Sequence, residues 1–209
     1  MRRSAASGGV YPISFRSLLK NMVMRPETIS RNNALLWGVA WLIIGAIAAW
    51  HFRFMPTSMY GYTTAQYIPL AWHVAMVLAM WMSFGVVYFA FGMLLNRKAN
   101  MVEIFGRMLF ANFPTTLIML PGIMGNRVAY ATFMGDATAA YKIYPAETII
   151  MAVVFVAIVV WTLYWGYLAF RYATQRRGYV TLLIYLVATP LAYYLSVVVL
   201  AKLYAGIMA

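Results

Sequence analysis

Few residues in this chain carry side chains that could do chemistry in an apolar setting. The ionisable groups within or beside its long apolar stretches are His73, Glu103, Arg107, Glu147 and Lys202. His51 and Asp136 are further side chains able to ligate a metal. A metal site needs ligands at fixed spacings such as HExxH, and neither histidine sits in one. A haem held by two histidines needs them at suitable depths on facing helices. His51 is near the end of the first stretch and His73 near the start of the second, so both fall on the outer side. Ser83 and Ser196 have no base placed to activate them. There is no GxSxG, GxGxxG or P-loop pattern, and no cysteine to act as a nucleophile or thiolate ligand. The expectation is a protein that is not an enzyme and carries no metal or cofactor.

Two constellations remain. Glu103 and Arg107 are spaced i,i+4 with the acid first, the favourable order for an ion pair on one helix. Prolines break otherwise apolar helical patterns at Pro114, Pro121 and Pro190. Each removes a backbone hydrogen bond, and the freed carbonyls need new donors. Asn112, Thr115, Thr116 and Thr189 stand beside Pro114 and Pro190 and could supply them. If the two broken helices are neighbours, these six residues surround a small polar pocket. Otherwise they repair static kinks.

Helices must position these groups, and the apolar pattern says which. Five stretches, 34–54, 68–95, 101–125, 146–170 and 179–205, approach or exceed the roughly 20 residues that cross about 30 Å of hydrocarbon. The composition agrees, with 65% hydrophobic residues in 209 and a mean hydropathy of +0.77. The fold class is therefore all-α membrane protein, with five transmembrane helices preceded by a short amphipathic interfacial helix. Residues 1–33 form a cytoplasmic N-terminal segment with no cleavable signal pattern, and residues 34–209 a single transmembrane domain. Small residues at Gly38, Gly45, Ala49, Gly85 and Gly92 mark faces for close helix contact.

The net charge of +12 sits mostly at span ends, where it reports topology and headgroup contact rather than nucleic-acid binding. With the N-terminus inside, Arg2, Arg3, Arg16, Lys20, Arg25, Arg31, Arg97, Lys98, Arg171, Arg176 and Arg177 are cytoplasmic, and Arg53, Arg127, Lys142 and Lys202 are outside. That division predicts a cytoplasmic N-terminus and an outer C-terminus, in a bacterial cytoplasmic membrane. The inner loops are short enough to make tight helical hairpins. The outer loops carry Tyr60, Tyr62, Tyr67, Tyr130, Tyr141 and Tyr144 and are expected on the outer surface of the bundle. Pro145, Ala146 and Glu147 read as a first helical turn. In the N-terminal segment, Phe15, Leu18, Leu19 and Met22 recur at helical spacing around Arg16 and Lys20. That pattern suits a basic amphipathic helix lying on anionic headgroups.

Three stretches carry a likeness: 15–31, FRSLLKNMVMRPETISR; 106–120, GRMLFANFPTTLIML; and 160–202, where a tryptophan-bearing span turns through a short basic loop into the last span. In pattern and spacing the chain resembles the Yip1 domain family in its small prokaryotic branch. The resemblance implies a five-helix domain with a cytoplasmic N-terminus. The acidic-tyrosine-glycine-proline signature of the trafficking members is absent from this chain, so a GTPase-linked role does not carry over. The function expected is a non-catalytic membrane protein that binds partners or organises lipid, the partners being the bilayer with its anionic headgroups, a second copy, or another membrane protein. A transporter or channel for a small solute or ion is the alternative. A transporter would show a polar path at mid-depth, often with internal repeats. The mid-depth residues here are mostly aliphatic, methionine and aromatic.

Overall fold

The computed structural model describes residues 29–64, 68–119 and 137–208. Helices account for 82% of them. Four are long and apolar enough to cross a membrane: α1 (Arg31–His51), α2 (Leu70–Leu95), α5 (Pro145–Ala173) and α6 (Tyr179–Met208). Between them lie a two-stranded hairpin, β1 (Phe54–Ser58) and β2 (Gly61–Thr64), and two shorter helices, α3 (Met101–Ala111) and α4 (Ala137–Ile143). Only 11% of the most apolar window of α5 is buried, and Ile149, Ile150, Val153, Val156 and Val160 face outward. In water that helix would present a large bare hydrocarbon face; in a bilayer it is at home. The chain is a multi-pass helical membrane protein.

The stretch 101–125 does not continue as one helix. α3 ends at Ala111, Asn112 caps it, and residues Phe113–Met119 tighten into a 3₁₀ segment; residues 120–125 lie outside the described ones. The cause is Pro114, which has no N–H to give and disfavours helical geometry in the residue before it. Eleven α-helical residues rise about 16 Å, and the seven 3₁₀ residues add about 14 Å, so only the two together approach the hydrocarbon thickness. The apolarity of α3 also serves the protein interior. Every residue from Ile104 to Ala111 is buried, so α3 is the centre of the bundle, enclosed by α1, α2 and α5.

Glycines set those contacts. A Cβ on Gly38 of α1 would stand 2.8 Å from Leu109 Cγ, and one on Gly106 of α3 would stand 3.1 Å from Leu35 Cα. The two backbones cross closely because neither residue has a side chain. Gly85 and Gly92 on α2 make the same allowance for Phe105 and Ile104. α6 packs chiefly along α2.

The connection after α1 departs from the expected surface loop. Residues 54–64 pair as an antiparallel hairpin and fold back between α1, α2 and α6, burying Phe54, Met55, Ser58, Met59 and Tyr62. A hairpin bonds much of its backbone internally, which allows the chain to leave water without orphaned amides. Tyr60 near its tip stacks on Tyr193 of α6, with centroids 6.3 Å apart. Tyr141 and Tyr144 are exposed, while Tyr67 and Tyr130 lie outside the described residues. The expected helical turn at Pro145 is present, with Pro145 opening α5 and Glu147 in its first turn.

Candidate functional site

Three arrangements inside the bundle carry polar groups. The first closes the end where α1 begins. Glu103 and Arg107 form the expected pair, Nε to Oε1 at 3.1 Å. Arg107 does more than its spacing suggested. Its side chain is 3% exposed, its Nη1 donates to the Ile29 carbonyl at 2.9 Å, and its guanidinium lies over the Tyr172 ring, 4.1 Å from the centroid. One cation thus ties the chain before α1 to α3 and to the end of α5. Nearby, Asn96 Nδ2 donates to the Thr174 carbonyl at 3.0 Å and Arg176 Nε to the Leu95 carbonyl at 3.2 Å. These bonds gather Arg31, Arg97, Lys98, Arg171, Arg176 and Arg177 at one end of the bundle. All but Arg171 are well exposed.

The second is a tyrosine cluster. Tyr88 of α2 and Tyr185 of α6 lie face to face, 5.6 Å apart and 14° from parallel. The Tyr88 hydroxyl shares a 3.0 Å hydrogen bond with Thr189 Oγ1, and Thr189 also donates to the Tyr185 carbonyl at 2.8 Å. Tyr185 donates its hydroxyl to the Leu163 carbonyl of α5 at 2.9 Å. Burial raises the phenol of Tyr60, with Tyr88 beside it adding to the effect, and burial alone pushes Tyr62 up to about 12. Both hairpin tyrosines stay neutral at physiological pH.

The third is a partly open cleft between α1, α2 and the 3₁₀ segment, lined by Trp41, Gly45, Tyr62, Trp81, Asn112, Thr115 and Thr116 among others. About 30 Å³ of it takes a water-sized group. Thr115 and Thr116 spend their hydroxyl protons on the Asn112 and Phe113 carbonyls, each at 2.7 Å. These bonds close the first turns of the 3₁₀ segment, whereas the carbonyl that Pro114 leaves without its helical donor is that of Phe110, four residues earlier.

The six residues around the two prolines therefore do not converge. Asn112, Thr115 and Thr116 share the cleft and Pro114 is buried beside them. Thr189 belongs to the tyrosine cluster, and Pro190 is on the exposed face of α6. α3 and the 3₁₀ segment pack on α1 and α5, with little contact to α6. Asn112 borders a small space with Tyr88 of α2 and Tyr185 of α6, but neither Thr189 nor Pro190 lines it, and α6 packs chiefly along α2. His73 is buried, with Nδ1 3.4 Å from the Pro69 carbonyl, while Glu147 is exposed; no bond joins them. Among the described residues no three histidine, cysteine, aspartate or glutamate side chains come together as metal ligands. Phe15, Arg16, Leu18, Leu19, Lys20 and Met22 lie outside the described residues.

Sequence reasoning missed the tyrosine cluster and the cleft. Tyr88 and Tyr185 sit mid-pattern in apolar helices, and only their contact across α2 and α6 reveals a role. No family model, curated protein or solved structure matches the chain.

Proposed function

We propose that this chain is a non-catalytic membrane protein of the Yip1-like type that works at its basic end, gathering anionic lipid headgroups on the cytoplasmic face. One observation carries the reading. Five exposed cations, Arg31, Arg97, Lys98, Arg176 and Arg177, share one end of the bundle, and among the described residues the acid at that end, Glu103, is already spent on Arg107. An uncompensated cluster of this kind beside a bilayer attracts anionic headgroups, by about 1 kcal/mol per basic residue near the surface. The same cluster is the positive-inside signal, which favours a cytoplasmic N-terminus. The sequence ahead of α1 is basic as well, with Arg16, Lys20 and Arg25. The full reading is five spans with an interfacial helix in front, the third span being the broken one.

The test is lipid retention. The purified protein released from native membranes into a mass spectrometer should hold anionic lipid in preference to zwitterionic lipid. A variant with Arg97→Gln, Lys98→Gln and Arg177→Gln spares Arg176, whose bond to Leu95 is structural. It should lose that preference and keep its melting temperature. Equal retention of both lipid classes by the unaltered protein would end the reading.

A further inference from the structure

Two polar side chains on the cleft between α1 and α2 have no structural employment. The Asn112 carboxamide makes no hydrogen bond among the described residues, although its backbone caps α3. The Tyr62 hydroxyl likewise has no partner, although its ring is buried. Both line the same partly open space. In its walls, the indole N–H groups of Trp41 and Trp81 are buried without an acceptor. Folded proteins pair the large majority of such groups, because an orphan forfeits its bond to water and gains nothing in return. Trp50 Nε1 and His73 Nε2 are buried in the same way outside the cleft, so the groups that the cleft itself leaves open are the Asn112 carboxamide and the Tyr62 hydroxyl.

We infer that this cleft binds the carbonyl head of a neutral lipophile dissolved in the bilayer core. Donors are in surplus. Asn112 offers an amide NH₂ and Tyr62 a hydroxyl, whereas the indole N–H groups of Trp41 and Trp81 are closed off by the surrounding side chains. Against them stands one amide oxygen with no assigned partner. A head rich in acceptors fits, such as a ketone or quinone. The cleft presents no charged side chain among its lining residues, so an ionised head would enter without a counter-charge. The remaining wall is apolar, with Leu42, Val77 and Met80 suited to a hydrocarbon tail or ring.

Depth selects the source of the carbonyl. Trp41 is the eleventh of 21 residues in α1, and Trp81 the twelfth of 26 in α2. Trp41 is about 15 Å along its helix from either end, and Trp81 about 17 Å from one end and about 21 Å from the other, so both lie near the middle of a core about 30 Å thick. The ester carbonyls of bilayer lipids lie at the boundary of that core. A free lipophile reaches the middle.

The probe is a benzoquinone bearing a decyl tail, with decylbenzene as the carbonyl-free control. Native mass spectrometry of the full chain should find one quinone bound per protein and little decylbenzene. Tyr62→Phe and Asn112→Leu each remove one hydrogen bond to the ligand, so each should weaken quinone binding about tenfold. Neither should lower the melting temperature of the ligand-free protein, since neither group serves the fold. The inference is overturned if decylbenzene binds as well as the quinone. It is equally overturned if both variants bind the quinone unchanged, if either variant melts markedly earlier without ligand, or if no adduct forms and the cleft holds only water.

Discussion

The Tyr185 hydroxyl of α6 occupies the place where a side chain on Gly166 of α5 would project. That vacancy is what lets the hydroxyl reach the Leu163 carbonyl at 2.9 Å. It also allows the ring to stack on Tyr88 and touch Phe170 and Tyr167 at the same time. α5 and α6 have little other contact, so this one insertion does much of the joining. Gly166→Ala should push the hydroxyl out and leave it unbonded inside the bundle, at a cost of about 1–3 kcal/mol. Tyr185→Phe removes the hydroxyl without the clash and should cost less. Reversible unfolding in mixed micelles measures both. If the alanine variant is as stable as the unaltered protein, the insertion is not holding α6.

Arg107 and Glu103 are an unequal pair. The acid is 17% exposed and can turn to solvent or headgroups, whereas the cation is 3% exposed and has two further partners in Ile29 and Tyr172. Glu103→Gln should therefore be mild. Arg107→Met should cost about 3–5 kcal/mol, the range for breaking a buried pair from one side. From the spacing alone, replacing both with apolar residues should restore most of the loss. The structure predicts otherwise, because the Ile29 carbonyl still loses its donor in the double variant. A double-mutant cycle in unfolding free energy decides between the two: full recovery means the Ile29 bond is unimportant.

Long apolar helices were legible because period and length suffice to find them, and the four spans α1, α2, α5 and α6 follow the stretches closely. α3 was legible as apolar and as broken at Pro114. Its place was not, since burial by protein and burial by lipid select the same residues. The Glu103–Arg107 pair was visible because both partners are one helical turn apart. The cleft was not visible, because Tyr62, Trp41, Trp81 and Asn112 come from four separate elements and meet only through packing. The proposed pocket around Pro114 and Pro190 failed on adjacency, which no spacing within a single helix encodes.

The hairpin makes the sharpest test of that difference. A loop on the outer surface would tolerate Phe54→Ala within about 0.5 kcal/mol, as exposed positions usually do. Phe54 is 1% exposed and packs with Ala49, Tyr62, Ile118 and Ile158, so its truncation should cost about 3–5 kcal/mol. Thr57, the one exposed residue of β1, should accept alanine with little effect. Melting curves of the two variants side by side give the answer, and equal curves would return the hairpin to the surface.

Orientation can be measured with little engineering, because the chain has no cysteine to remove. Lys98, between α2 and α3, and Lys142, near the end of α4, are both exposed, and the helices place them at opposite ends of the bundle. Lysine and cysteine differ little in their effect at such solvated sites, so Lys98→Cys and Lys142→Cys should fold normally. In intact cells a membrane-impermeant maleimide should label Lys142→Cys and leave Lys98→Cys untouched until the membrane is opened. That pattern follows from the basic end being cytoplasmic, where the electrical and biosynthetic bias against translocating arginine and lysine holds it. The reverse pattern would put Arg97, Lys98, Arg176 and Arg177 outside. It would also remove the basis for cytoplasmic headgroup capture, while leaving the cleft at mid-depth, and the lipophile it is inferred to bind, unaffected.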